Sequence, residues 1–530
     1  MVRISGIQGK FNGNLFNSLL KSLEDDNKLS KEKSLKGIFL SSKDSTIFNS
    51  NFSNDILPEN ENDYYNIGLG ATYSKNDSYL QPINYKELIL IFDGVVYNVE
   101  EINSILDYSK DIDKFNPILI LKLLYKFYSK SKDLKKSVEK VKNLINGDYV
   151  FAVFDNDNLA ITRDNVGVKP LYYNIKNNYN SFASEKKDLW KMGINNNEID
   201  SLKPGYILYN GEKFPPKANP WDLDSSSLNV KDMDYDQIKS NLLKLIENSI
   251  YNRIKGLDHV GLVFSGGVDS TILATLLKKQ KENHEIGVTL YTVGDKNSKD
   301  LKYSQIVAKQ LNLPLKSRII DESIVKTTLP HVIEAIEETN LMKIGVGMTL
   351  YLATKLASDD NVPVVLAGQG ADELFAGYNR YLTKLKSDGE EELQKELIHD
   401  IKHSYDVNLE RDAKIANTNE VQLRFPYLDE KLINFSLNIP IKYKINLADE
   451  NYYDNINKYN NVNNYNEDNL RKRVLRDVAI DIGIDKEIAM RPKKAAQYGS
   501  GINKILKKKV LKDTDINKIM MDIMGTYISD

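Results

Sequence analysis

The sequence predicts two fold classes in one chain: a strand-rich α+β region over 1–205 and an α/β region with a parallel sheet over 231–530. Three observations predict this. Short β-branched and aromatic runs closed by turn residues crowd the N-terminal region. In the C-terminal region strands alternate with helical stretches, the pattern of a parallel sheet covered by helices. Between them, over 206–230, lies a Pro-rich breaker, Phe214-Pro215-Pro216-Lys217-Ala218-Asn219-Pro220, followed by Ser225-Ser226-Ser227.

In chain order, Leu88 to Phe92 reads as a strand closed by Asp93-Gly94, and Tyr149 to Phe154 as one closed by Asp155-Asn156-Asp157-Asn158. A helical stretch near 116–144 lies between them, and its Lys132, Lys135, Lys136, Lys140 and Lys142 read as a solvated face. Beyond the connector, His259 to Phe264 is a short apolar strand with a helix from 271. Ile286 to Val293 is a strand followed by a helix through 301–311, and Pro363 to Ala367 is a strand followed by another helix. Residues 450–468, mostly Asn, Tyr and charge, cannot supply a packed core and read as an insertion.

Composition narrows the function classes. The 72 Lys and Arg nearly balance the 74 Asp and Glu, which gives no electrostatic case for nucleic acid or a membrane surface. The longest apolar runs are far below the ~18 residues a bilayer demands. The N-terminus Met1-Val2-Arg3-Ile4 has no signal-peptide pattern, so a cytoplasmic location is expected. There is no cysteine. That excludes disulfides, cysteine-ligated zinc, iron–sulfur clusters and a cysteine nucleophile. With five His, a His-rich metal site is not expected either.

The sharpest local signal is Ser265-Gly266-Gly267-Val268-Asp269-Ser270, set between a predicted strand and a predicted helix. Two glycines let the backbone turn tightly and bring amide N–H groups close to a ligand. The helix N-terminus adds donors and a positive dipole, and Ser265 and Ser270 add hydroxyls. Asp269, among groups that favour anions, calls for a cation, and Mg2+ is the natural one. The loop resembles the SGGxDS pyrophosphate loop of ATP pyrophosphatases. This resemblance implies cleavage of ATP to AMP and pyrophosphate.

A second block, Ala367-Gly368-Gln369-Gly370-Ala371-Asp372-Glu373-Leu374-Phe375-Ala376-Gly377-Tyr378, follows the strand at 363. Ligands of open parallel sheets bind at that end of the strands. The block resembles the SGEGADELFGGY motif of asparagine synthetases. Further pieces agree in order. Ser298-Lys299-Asp300-Leu301-Lys302-Tyr303 is similar to SPDLKAA, Arg424-Phe425-Pro426-Tyr427-Leu428-Asp429 to RVPFLD, and Arg491-Pro492-Lys493 to RQK. In the N-terminal region, Asp93-Gly94-Val95-Val96-Tyr97-Asn98 resembles NGEIYN, the segment 162–173 resembles ARDxxGxKPLYY, and Phe182-Ala183-Ser184-Glu185 resembles FASE.

The resemblance implies a glutamine-amidotransferase-like domain of layered antiparallel sheets (Ntn-hydrolase-like) over 1–205. It implies an ATP-dependent synthetase domain of adenine-nucleotide α-hydrolase-like fold over 231–530. The activity implied is adenylation of the aspartate side chain with ATP and Mg2+, then displacement of AMP by ammonia. Ser265, Gly266, Gly267, Asp269 and Ser270 would hold the pyrophosphate, and Leu262, Val293 and Gly368 would line the adenine and ribose. Asp269 and Asp372 would bind Mg2+, Lys493 would neutralise phosphate charge, and Asp429 would meet the substrate amino group. A homodimer is expected by the same analogy.

The chain departs from the family at five positions. The family's cysteine nucleophile is Val2, which has no lone pair for attack. The arginine that grips the glutamine carboxylate is Tyr73, the oxyanion-hole asparagine is Asp93, and the acid that binds the glutamine amine is Val95. A carboxylate facing a developing oxyanion repels it. These changes predict no glutamine hydrolysis and a need for free ammonia or a separate ammonia source. In the synthetase block the family's glutamate is Gln369, which cannot take a proton near neutral pH. Glu337 or Glu338 is a candidate replacement carboxylate. Gln369 also keeps open a β-lactam-synthetase-like ligase that uses another carboxylate and amine. A non-catalytic ATP-binding protein is the third reading, against which the intact Ser265, Asp269, Asp372 and Lys493 argue.

Overall fold

The computed structural model describes residues 2–18, 35–42, 46–52, 64–73, 80–107, 117–176, 178–217, 221, 230–446, 471–492 and 494–528. The insertion at 450–468, Lys493 and most of the latter half of the 206–230 connector lie outside these residues.

The N-terminal region is two antiparallel sheets. The larger runs in the order Asp200–Ser201, Tyr172–Ile175, Tyr179–Ala183, Arg3–Asn12, Tyr64–Tyr73, Leu35–Ser41, Thr46–Phe52. The smaller runs Glu212–Phe214, Ile207–Tyr209, Leu159–Arg163, Gly147–Phe154, Leu88–Val96, Ile83–Tyr85. This smaller sheet is covered on both faces, which explains why its central strands are apolar without alternation. Ile89, Ile91, Val150 and Ala152 pack with Ile4 and Leu69 of the facing sheet. Leu88, Leu90, Phe92, Phe151 and Val153 pack with Leu119, Leu123 and Val138 of the helices Pro117–Ser131 and Leu134–Lys142. Lys132, Lys136 and Lys140 are exposed, but Lys142 is buried and donates to the Gly205 carbonyl at 2.6 Å. The lysine face is thus narrower than its charge suggests.

The C-terminal region is built on a five-stranded parallel sheet in the order Leu315–Ile319, Gly287–Gly294, His259–Val263, Val364–Leu366, Gln422–Arg424. From the central strand His259–Val263 the next strand is laid down on one side and Val364–Leu366 on the other. This reversal opens a crevice at the carboxyl ends of the two inner strands, where sheets of this kind hold ligands. Among the described residues, no helix is long and apolar enough to cross a membrane.

Buried charges join the two regions. Glu410 accepts from Arg163 at 2.9 Å, Ser201 at 2.6 Å and Tyr172 at 2.8 Å, all from the N-terminal region. Burial pushes the Glu410 carboxyl up, but Arg163 and the hydroxyl donors outweigh it and hold it below the ordinary glutamate range. Glu337 accepts from the Lys187 backbone N–H at 2.8 Å and pairs with Lys414 at 2.9 Å. Glu338 pairs with Lys343 at 2.9 Å. Both candidate replacement carboxylates thus have structural partners.

Candidate functional site

The strand His259–Val263 buries Leu262 in register with Leu290 and Leu366 of its neighbours. The chain then turns through Ser265–Gly267 into the helix Val268–His284. Gly266 turns at φ 64°, and a Cβ there would lie 2.7 Å from the Tyr303 carbonyl carbon and 2.8 Å from the Ser304 nitrogen. Only glycine fits, because the loop is laid directly on the backbone of the helix Lys299–Leu311. Ser304 Oγ donates to the Phe264 carbonyl at 3.2 Å. Gly267 N donates to Ser265 Oγ at 3.3 Å, and Ser270 Oγ lies 3.3 Å from Ser265 Oγ. No side chain caps the helix at Gly267, so its leading N–H groups face the loop as anion donors.

This geometry carries a prediction. Gly266→Ala forces the loop off Tyr303 and misplaces the donors. It should destabilise the protein by about 2–3 kcal/mol and lower turnover roughly 10²-fold, read by thermal melting and by pyrophosphate release. A variant within twofold of wild-type turnover would show that the loop tolerates displacement.

Arg491 braces the loop from outside. Its Nη1 donates to the Ser265 carbonyl at 2.8 Å, its Nη2 pairs with Asp300, and its guanidinium lies 4.3 Å from the centre of the Tyr303 ring. Ser298 Oγ caps the helix by accepting from Leu301 N at 3.1 Å and donates to the Gly499 carbonyl at 2.9 Å. Arg491 and Gly499 therefore tie the segments 265–270 and 298–303 into a single assembly.

The second block meets the loop. A Cβ on Gly368 would lie 3.5 Å from Asp269 Cβ. Tyr427 OH donates to the Asp269 carbonyl at 3.0 Å. Asp269 and Asp372 converge, but on a partner the sequence did not announce. Lys472 Nζ lies 2.6 Å from Asp269 Oδ2 and 2.7 Å from Asp372 Oδ1. The Lys472 side chain is 1% exposed. Burial lowers its pKa, and the Asp269 carboxylate opposes that shift. Glu373, buried behind Asp372, accepts from Tyr378 OH at 2.8 Å and Asn408 at 3.2 Å, and burial raises its pKa. Gln369 is half-buried, and its side chain has no hydrogen-bond partner among the described residues. Val293 is buried in the strand beside Leu262.

Asp429 lies apart in chemistry. It caps the helix Glu430–Asn438 by accepting from Lys431 N at 3.1 Å, and it pairs with buried Arg253 at 3.2 Å.

In the N-terminal region, Val2 packs against the core between the sheets, and Val95 is fully buried. Tyr73 ends its strand opposite Leu35. Asp93 is buried and paired with Lys169 at 2.7 Å. Sequence reasoning identified the carboxylate but missed the lysine, although Lys169 lies in the 162–173 segment.

The asparagine synthase family matches residues 241–392 and 384–515, and the glutamine amidotransferase domain family matches 71–213. The chain is 38% identical over 484 residues to a putative asparagine synthetase [glutamine-hydrolyzing] 1 of Methanocaldococcus jannaschii, covering 85% of this chain and 86% of that protein. It is 24% identical over 458 residues to an asparagine synthetase [glutamine-hydrolyzing] of Gallus gallus, covering 81% and 75%. Among solved structures, a glutamine phosphoribosylpyrophosphate amidotransferase from B. subtilis overlaps 56% of this chain and 67% of its own, at 17% identity and a TM-score of 0.33. An NH3-dependent NAD synthetase from Campylobacter jejuni overlaps 34% and 96%, at 20% identity and a TM-score of 0.23. The chain belongs to the asparagine synthase family of ATP-dependent carbon–nitrogen ligases.

Proposed function

We propose that this chain adenylates the side-chain carboxylate of aspartate and passes the acyl group to ammonia that it does not make from glutamine. The observation that carries the reading is the meeting of the loop Ser265–Ser270 with Asp372 at the carboxyl ends of two adjacent parallel strands. In this reading 231–530 performs the synthesis, and 1–205 is a structural partner.

Two carboxylates aimed at one point are a hard-cation donor set of the kind that shares Mg2+ with phosphates, so Asp269 and Asp372 fit that ion. Mg2+ would neutralise phosphate charge there. The chain's own groups do the rest. Ser265, Ser270 and the leading amides of the helix donate to phosphate oxygens. Arg491 fixes the loop by holding the Ser265 carbonyl. The aspartate carboxylate attacks the α-phosphorus and pyrophosphate leaves, with Lys493 assigned to its growing charge. Ammonia then attacks the acyl carbon, the C–N bond forms and the C–O bond to AMP breaks. The nitrogen must lose a proton in that step; Gln369 cannot accept it, so it passes to the departing AMP phosphate or to water.

The absence of cysteine and the Asp93–Lys169 pair support loss of glutamine hydrolysis. The oxyanion-hole position carries a carboxylate already neutralised by its own lysine, so it offers no donor to a tetrahedral intermediate. Gln369 favours a second reading, in which a different amine, within one substrate or separate, attacks the acyl-adenylate.

The experiment is product analysis with Mg-ATP and L-aspartate, supplied with ammonium or with glutamine. The expected result is asparagine and AMP in equal amounts with ammonium and none with glutamine. Asparagine from glutamine alone would overturn the loss of hydrolysis. Turnover confined to another acid and amine would move the assignment to the second reading.

A further inference from the structure

The point where Asp269 and Asp372 converge is filled by the chain itself. Lys472 Nζ lies 2.6 and 2.7 Å from Asp269 oxygens and 2.7 Å from Asp372 Oδ1. Three further features make this a built arrangement rather than a chance pairing. Lys472 stands in the left-handed region, φ 60° and ψ 32°, at the start of the helix Arg473–Asp481. This backbone is unusual for a residue with a side chain. Its neighbour Arg471 is anchored to the Gly377 carbonyl at 2.8 Å. A Cβ on Gly377 would fall 2.2 Å from Lys472 Cε and 2.0 Å from Asp372 Oδ1, so the glycine of the second block is the space through which the lysine passes.

An ammonium and a divalent cation cannot share this point, because like charges at contact distance repel strongly in a buried site. We infer that Lys472 is a displaceable internal counter-ion: it holds the two carboxylates together in the resting protein and yields their oxygens to the divalent cation that arrives with ATP. Its ammonium is then within the same cleft as the triphosphate and turns to a phosphate oxygen. This inference rests on the assignment of Asp269 and Asp372 as metal ligands. Its consequence is ordered binding, in which metal without nucleotide is refused and metal with nucleotide is admitted. Lys472 is thus a positioning residue for the metal, not a group that reacts.

The test is a titration of the nucleotide-free protein with MnCl2, following free Mn2+ by electron paramagnetic resonance, with thermal melting as the check on folding. Wild-type protein should bind Mn2+ weakly, and Lys472→Met should bind at least tenfold more tightly. Lys472→Gln, closer in polarity, carries the same expectation if the methionine variant does not fold. Lys472→Arg should stay within threefold of wild type. With Mn-ATP, wild type and Lys472→Gln should differ much less. Equal nucleotide-free Mn2+ affinity in wild type and Lys472→Gln would overturn the counter-ion role. Mn-ATP binding would still be lost in Asp269→Asn if the metal assignment holds. If Asp269→Asn leaves both Mn2+ and Mn-ATP binding unchanged, the metal assignment itself fails, and the inference with it.

Discussion

Asp269→Asn is expected to lower pyrophosphate release roughly 10³-fold while leaving the fold intact. The substitution is nearly isosteric but removes the full negative charge from one of the two carboxylates proposed to hold Mg2+. A metal clamp on transferring phosphates is worth several kcal/mol, and losing about 4 kcal/mol of it is a factor of about a thousand. Asp269 lies in the first turn of its helix, and Tyr427 holds its backbone carbonyl. Its carboxylate also pairs with buried Lys472, which Asp372 still holds in the variant, so the melting temperature should fall by a few degrees without loss of the fold. The check is single-turnover pyrophosphate release at saturating Mg2+, beside a thermal melt. A loss below tenfold would confine this carboxylate to holding Lys472.

Arg163→Met is expected to cost about 3–5 kcal/mol, because it strands the Glu410 carboxylate inside the seam. Arg163 is completely buried and also donates to the Leu202 and Gly167 carbonyls, both at 2.7 Å. Those acceptors lose a donor at the same time. The informative measurement is a cycle. Arg163→Met with Glu410→Gln removes the charge from both sides and should recover much of the loss, with a coupling of about 1–3 kcal/mol. Urea-induced unfolding followed by tryptophan fluorescence reads it, since Trp190 and Trp221 are both buried. Additive effects would mean that Glu410 is held by Ser201 and Tyr172 without the arginine.

The features legible in the sequence share a property: each is contiguous and has its own strand–turn–helix order. The loop at 265–270 and the block at 367–378 could be read because glycines, acids and flanking apolar runs stand side by side. Their meeting followed from the parallel sheet. The edge strands Leu315–Ile319 and Gln422–Arg424 escaped because the former is half-exposed with Lys and Arg and the latter is three residues long, so neither makes an apolar run. Lys472 escaped for a different reason. It reaches Asp269 across 203 positions, and in sequence it is one of several basic residues in Arg471-Lys472-Arg473. Nothing local separates a buried counter-ion from a solvated charge. The same blindness made Lys142 look like surface and hid Lys169 behind Asp93. A carboxylate at a loop predicts a cation, but only the fold says whether the chain supplies it.

Glu410 takes its arginine, serine and tyrosine partners from the N-terminal region, and Glu337 takes a backbone donor from the same region. Deleting that region would leave these acids without those partners at a newly exposed face. Single substitutions at Val2, Tyr73, Asp93 or Val95 leave these contacts in place, whereas removal of the region takes them all away. The N-terminal region thus serves the C-terminal region as a source of buried hydrogen-bond donors and of one counter-charge.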